Sequence, residues 1–236
     1  MVASSPQPAN QLLAALPESE YASLVPHLET VSLRTGQILY QPYELIEFVY
    51  FPNRAIVSLV AIMEDGATTE VGLVGKEGMV GLPVILGSNC SSRRAIVQIG
   101  NGAVMLNADI LKREFDRGGE LRRLLLLYTQ GLLTQVSQTA ACNRQHVIEE
   151  RLARWLLSVQ DRVEQDEFLL TQEMIAYMLG VRRSGITVAA NILQRAGIIS
   201  YSRGRIHIRD RQALEATACE CYRLVNQEFQ RLFGFN

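Results

Sequence analysis

Thr171-Gln172-Glu173-Met174-Ile175-Ala176-Tyr177-Met178-Leu179-Gly180-Val181-Arg182-Arg183-Ser184-Gly185-Ile186-Thr187-Val188-Ala189-Ala190-Asn191-Ile192-Leu193-Gln194 is the stretch on which the fold turns. Ile175 and Leu179 before Gly180, and Ile186, Ile192 and Leu193 after it, recur at helical spacing. They predict two short helices, Thr171 to Leu179 and Ser184 to Gln194, that share one small core. Gly180 admits a left-handed turn and Ala176 is small enough for a close helix crossing, which together make a helix-turn-helix. After Gly197, the run Ile198 to Tyr201, the turn Ser202-Arg203-Gly204 and the run Arg205 to Ile208 predict a hairpin, a wing attached to the second helix. Between Thr171 and Arg211 stand Arg182, Arg183, Arg195, Arg203, Arg205, Arg209 and Arg211 against Glu173 and Asp210, a local charge of about +5. Arg182 and Arg183 open the second helix and Arg203 and Arg205 flank the wing turn. From there guanidinium groups reach phosphates or a guanine edge.

Upstream, Ile148, Leu152, Trp155, Leu156 and Val163 predict a helix over Val147 to Val163, followed by a polar break from Glu164 to Glu167. From Leu121 to about Cys142 a single long helix is expected. Leu125, Leu132 and Thr139 stand seven apart beside Leu126, Leu133 and Ala140, and Thr129, Val136 and Asn143 complete an a/d-like seam. Leu124 to Leu127 is apolar all round, which predicts burial on more than one side, against a preceding domain and against a second copy. Leu125, Thr129, Leu132, Val136 and Thr139 are the expected dimer interface. Earlier still, seven short β-rich runs lie between Val31 and Leu106: Val31 to Leu33, Ile38 to Tyr40, Phe48 to Phe51, Ala55 to Met63, Thr68 to Val74, Ala95 to Ile99 and Ala103 to Leu106. Turn signals at Thr35-Gly36, Pro52-Asn53, Asp65-Gly66 and Gly100-Asn101-Gly102 separate them, as in a sandwich or barrel. One or two short helices are expected between Gln11 and Leu28.

The 236 residues are 48% hydrophobic and 20% charged, with Lys plus Arg 23 against Asp plus Glu 24 and a formal net charge of −1. Such a chain buries a sizeable core and is neither a disordered polymer nor a uniformly basic nucleic-acid coat. Its longest apolar runs fall well short of the roughly 18 residues needed to span a bilayer. Met1 to Asn10 lacks a basic stretch followed by an apolar one, so a cytoplasmic location is expected. Cys90, Cys142, Cys219 and Cys221 show neither a paired metal-ligand spacing nor a disulfide framework, and a reducing compartment is expected.

Three segments in order carry a family resemblance. Leu170-Thr171-Gln172-Glu173-Met174-Ile175-Ala176-Tyr177-Met178-Leu179-Gly180-Val181 is similar to the L-T-Q-E-E-L-A-x-x-L-G-V entry to the DNA-binding motif of the Crp/Fnr family of bacterial transcription regulators. Val147-Ile148-Glu149-Glu150-Arg151-Leu152-Ala153-Arg154-Trp155-Leu156-Leu157 resembles that family's V-x-x-R-L-A-x-x-L-L helix, and Gln194-Arg195-Ala196-Gly197-Ile198-Ile199 its E-x-x-G-L-I exit into the wing. The resemblance implies an α+β chain: an N-terminal β-roll of the cyclic-nucleotide-binding jelly-roll type, a long dimerisation helix and a C-terminal winged helix-turn-helix. The expected division is a flexible N-terminus over 1–10, a sensor-like β-roll over 11–118, the dimer helix and hinge over 119–145, and the DNA-binding domain with its C-terminal helix over 146–236. The implied function is a homodimeric regulator that binds a palindromic duplex, with RNA polymerase as a further partner. Arg183 falls on the family's base-reading arginine, while Ser184 replaces the usual Glu and Val188 a basic reader. Ser184, Thr187 and Asn191 share a helix face and are either further DNA contacts or solvated polar positions. Arg195, Arg203 and Arg205 are the expected phosphate contacts, beside Arg182.

The family's cyclic-nucleotide members hold ribose and phosphate with F-G-E and, about ten residues on, R-S or R-T. Here Val80-Gly81-Leu82 and Arg93-Arg94-Ala95 stand in those places. Leu82 accepts no hydrogen bond from a ribose hydroxyl, which argues against cyclic AMP. Gly81, Leu82, Arg93 and Arg94 then mark either a pocket for another anion or a glycine-rich turn region of the β-roll. No cysteine precedes Cys90, so the iron–sulfur site of the oxygen-sensing members is absent. His27, His146 and His207 are dispersed, and Cys219 and Cys221, placed on a C-terminal helix from Gln212 to Phe233, do not share a helix face. No metal and no cofactor are therefore expected. Neither a G-x-S-x-G elbow, an H-E-x-x-H pair nor a phosphate-binding P-loop is present, so no enzyme is expected. The alternative of a ligand-binding module whose winged helix meets proteins is opposed by the local charge.

Overall fold

The structure is a computed structural model and describes residues 8–234. Two short helices, α1 (Gln11–Ala14) and α2 (Glu18–Leu24), precede strands β1 (Glu29–Ser32), β2 (Ile38–Tyr40), β3 (Phe48–Pro52), β4 (Ile56–Ile62), β5 (Thr68–Val74), β6 (Arg94–Ile99) and β7 (Gly102–Asn107). All seven expected β runs are present. They form two antiparallel sheets, ordered β1-β7-β3 and β2-β6-β4-β5, with Val49, Phe51, Val57, Val97 and Leu106 in the core they share. Of the expected flexible N-terminus, residues 1–7 lie outside the described residues, whereas Asn10 is fully buried. Its Oδ1 accepts from Leu12 N and Leu13 N, capping α1, and its Nδ2 donates to the carbonyls of Pro52 and Gly78. A buried amide with every group paired is an anchor.

The helices α3 (Ala108–Arg117) and α4 (Gly119–Gln145) follow. The carboxylate of Glu20 on α2 accepts from Glu120 N and Leu121 N at 2.9 and 2.8 Å, satisfying two of the free amides at the start of α4. Leu121, Leu124, Leu125, Tyr128 and Leu132 pack into the β-roll core. The seam expected to face a second copy therefore needs correction. Leu125 is 0% and Leu132 9% exposed within this one chain, and Val136 packs on the same core, whereas Leu126 is 46% and Leu133 64% exposed. The outward apolar row of α4 is the neighbouring one.

Beyond α4 come α5 (Ile148–Val163), β8 (Glu167–Leu169), α6 (Gln172–Leu179), α7 (Arg183–Arg195), β9 (Ile199–Ser202), β10 (Arg205–Ile208), α8 (Arg211–Thr217) and α9 (Cys221–Phe233). The polar break after α5 runs into β8, a third strand that pairs with β10 to give the order β8-β10-β9. Phe168, the one buried residue among three, is too short a hydrophobic signal to be read as a strand without its partner. The single C-terminal helix expected from Gln212 to Phe233 is two helices, broken at Ala218 to Glu220. Helix α9 turns back along α4, where the Phe229 ring tilts against Tyr128 at 6.5 Å between centroids.

The two parts of the chain share a buried face. Along β4, Val57 points into the β-roll core while Ile56 and Val60 join Trp155, Leu156, Ile175 and Leu179 in a second core. A bulge where Leu59 and Val60 pair with Gly72 and Glu70 adds Val71 to β5 and turns Glu70 and Leu73 toward the same second core. Glu70 is buried there, accepting from Ser58 Oγ at 2.5 Å and from Trp155 Nε1 at 2.9 Å. Arg162 Nε donates to Glu77 at 2.8 Å, Lys76 pairs with Glu164, and the Gln135 amide exchanges hydrogen bonds with the backbone of Leu73.

Burial raises the Glu70 carboxyl from its ordinary 4.5 to about 7, against the lowering pull of Ser58, Trp155, Arg154 and Arg162. The unfolded chain then binds fewer protons than the folded one between those values, so stability falls as pH rises through that window. Glu70→Gln should flatten this part of the profile. Urea titrations at about pH 5 and about pH 8 should show the native chain losing up to about 3 kcal/mol more than the variant.

Candidate nucleic-acid interface

Thr171 caps α6, its Oγ1 accepting from Met174 N at 3.2 Å. The helix ends at Gly180, whose φ is +62°. A Cβ there would lie 2.4 Å from Thr69 Oγ1 of β5, so both the turn and the close approach to the β-roll require glycine. Helix α7 buries Ile186, Ala189, Ala190 and Leu193 and exposes Arg183, Ser184, Val188, Asn191 and Arg195. Arg182 occupies the cap position without a side-chain hydrogen bond to the helix, so its guanidinium is not engaged in capping α7. Thr187 is half-buried, and its hydroxyl donates to Gln172 Oε1 at 2.7 Å. It therefore ties α7 to α6.

At the wing, Ser202 pairs with Arg205 across a two-residue turn in which Arg203 and Gly204 have φ of 51° and 76°. That is the type I′ geometry, which suits glycine and asparagine better than arginine. Tyr201 ties the wing down by donating to the carbonyl of Leu170 at 2.8 Å. Arg183, Thr171, Gln172, Tyr201, Arg203 and Gly204 line one cleft of about 350 Å³ between the start of α7 and the wing tip. Arg195 sits at the other end of α7, and Arg205 is paired with Glu167 on β8 at 2.5 Å. Arg211, counted in the basic segment, belongs to the framework: it pairs with Asp161 and Glu215 and donates to Tyr222 Oη.

In the β-roll, Gly81 has φ +110° and a Cβ on it would lie 2.7 Å from Val49 Cγ1. The Leu82 side chain lies in the core. Arg94 Nε donates to Gln41 at 2.8 Å and Arg93 to Ser92 Oγ at 2.9 Å. A cleft of about 700 Å³, not foreseen from the sequence, lies where α5 and α9 meet the β-roll, lined by Lys76, Glu77, Arg162, Glu164, Arg211 and Phe229 among others.

The expectation that cysteine and histidine are scattered also needs correction. Cys142, His146, Cys219 and Cys221 converge, with one side-chain donor atom of each within 4.8 Å of the others. Because α8 ends before Cys219 and α9 begins at Cys221, the pair straddles a turn, and the helix-face argument that separated them does not apply. A hydrogen bond from Cys219 and the charge of Arg154 hold the Cys142 thiol below the ordinary thiol range.

Residues 150–217, from α5 to α8, match the Crp-like helix-turn-helix domain. None of the curated proteins matches the chain. Among solved structures, FixK2 from Bradyrhizobium japonicum superposes with a TM-score of 0.69 at 19% identity, covering 81% of this chain and 98% of that one. A CRP-family transcriptional regulator from Thermus thermophilus gives 0.65 at 19%, covering 80% and 96%. A second Thermus thermophilus regulator, of the CRP/FNR family, gives 0.63 at 22%, covering 80% and 98%. At these identities the likeness is one of fold. The chain thus carries a Crp-like helix-turn-helix domain, a DNA-binding module, over residues 150–217, on a fold shared with these regulators.

Proposed function

We propose that the chain works as a homodimer presenting two α7 helices to a palindromic duplex about one DNA turn apart. The observation that carries this reading is the exposed face of α7, opening with Arg182 and Arg183 and sharing a cleft with Arg203 at the wing tip. In this reading Arg183 contacts guanine, Ser184 and Asn191 read neighbouring positions, and Thr187 keeps the two helices in register. Arg182, Arg195, Arg203 and Arg205 hold phosphates. The two copies meet along Leu126, Leu133 and Ala140 of α4, which stand seven apart on its exposed side. The β-roll sets DNA affinity through α4 and the joint that follows it. Leu82, packed in the core, supports a signal other than cyclic AMP. RNA polymerase is the expected partner at a promoter, and the cytoplasm the expected location.

Selection from random duplexes followed by fluorescence anisotropy tests the reading. A palindromic site should be recovered, and Arg183→Ala should cost about 1–3 kcal/mol of binding and relax the preference at one base pair of each half-site. Enrichment of no sequence would sink it.

Arg203→Asn separates function from stability. Asparagine tolerates the left-handed turn better, so the variant should gain up to about 1 kcal/mol of stability while losing affinity, its salt slope falling by about one.

Leu133→Arg should convert the dimer to a monomer in sedimentation with little change in unfolding. Leu125→Ala should instead cost about 2–5 kcal/mol of stability as a core cavity. A dimeric Leu133→Arg protein would show that α4 does not pair by this row.

A further inference from the structure

Cys142 and His146 stand one turn apart at the end of α4, and His146 is the residue on which that helix stops. Cys219 and Cys221 flank the corner between α8 and α9, after the chain has left the winged helix. Four side chains from positions so far apart in sequence enclose one point. Cys142 Sγ lies 3.5 Å from Cys219 Sγ, and Cys221 Sγ lies 3.5 Å from His146 Nδ1. Metal–sulfur bonds of about 2.3 Å and metal–nitrogen bonds of about 2.0 Å in a tetrahedron require ligand separations of about 3.5–3.8 Å. A polynuclear iron–sulfur cluster spreads its ligands more widely than the 4.8 Å within which all four atoms fall here.

The surroundings point the same way. His146 Nε2 faces the Glu220 carboxylate at 3.1 Å, the outer contact that fixes an imidazole with Nδ1 free to ligate. Gln138 Nε2 donates to Cys221 Sγ at 3.1 Å, as an amide does to a ligating thiolate. Arg151 and Arg154 of α5 are both buried, their Nε atoms have no hydrogen-bond partner, and their charges act on the sulfur cluster. Three thiolates, a neutral imidazole and a divalent cation leave one negative charge, which buried guanidinium groups would balance.

We propose that Cys142, His146, Cys219 and Cys221 form a closed, mononuclear, tetrahedral site for a soft divalent cation of the Zn(II) class. All four positions are supplied by protein, the pattern of a structural and not a catalytic centre. On binding, the three thiols release their protons to solvent. The site joins the end of α4 to the segment that emerges from the winged helix, and one ligand, His146, lies in the joint between α4 and α5. Occupancy therefore sets the angle at which α7 is held, and metal-loaded and metal-free forms differ in DNA affinity.

The test uses the full-length protein, reduced and stripped with chelator, titrated with Co(II) and then Zn(II). One Co(II) per chain should bind with the intense visible absorption of tetrahedral thiolate coordination and be displaced by one Zn(II). The spectrum should be lost in Cys142→Ser/Cys219→Ser and kept in Cys90→Ser. Absence of that spectrum in the reduced native protein, or its survival in the double variant, overturns the site. Removal of Zn(II) should change affinity for a selected duplex fivefold or more in the native protein and leave the double variant unchanged. Equal affinities overturn the clamp. Because the cobalt readout needs no DNA, a protein that takes up Co(II) yet binds no duplex faults the DNA-site reading and supports the metal site.

Discussion

The hydrogen bond from the Trp155 indole to the Glu70 carboxyl lies in the second core, the one that the β-roll shares with the C-terminal part of the chain. A carboxyl group in an apolar interface is costly unless its oxygens are satisfied, and here one partner comes from β4 and the other from α5. The pairing therefore exists only when the winged helix is seated on the β-roll. Ile56, Val60 and Leu73 provide the apolar surface around it, and Arg162 with Glu77 provides a second polar tie. Everything about how α7 is aimed depends on this seating, since Gly180, at the turn before α7, touches Thr69 of the same strand pair.

Much of this architecture was legible in the sequence because its signals are local. Gly180 needed a left-handed conformation, Thr171 a helix to cap, and the β runs carried their turns with them. What was not legible depended on distant partners. A seven-residue repeat on α4 offers two adjacent rows, and only the packing of the β-roll decides that Leu125 and Leu132 face inward and Leu126 and Leu133 outward. Strand β8 exists because β10 is beside it.

The cysteines show the same limit more sharply. A spacing rule detects ligands that are close in sequence, yet here Cys142 in the last turn of α4 and His146 at its cap meet a pair across a turn 77 residues after Cys142. The turn itself was hidden, because Gln212 to Phe233 carries enough helical periodicity to be read as one helix. Thr187 had a partner that spacing did not show: on the face it shares with Ser184 and Asn191, its hydroxyl donates to Gln172.

Helix α5 is entered through only His146 and Val147, neither of them helical within α4 or α5. The torsions of these two residues, the C-cap of α4 and the N-cap of α5, set the direction in which α5 leaves α4. The 16 residues of α5 give a lever of about 24 Å. A rotation of about 10° at the joint carries the far end through about 4 Å, slightly more than the roughly 3.4 Å between stacked base pairs. A swing of that size would pull Arg162 from Glu77 and Val163 from the second core, so the seating on the β-roll is what holds a DNA reader to one step of the ladder it reads.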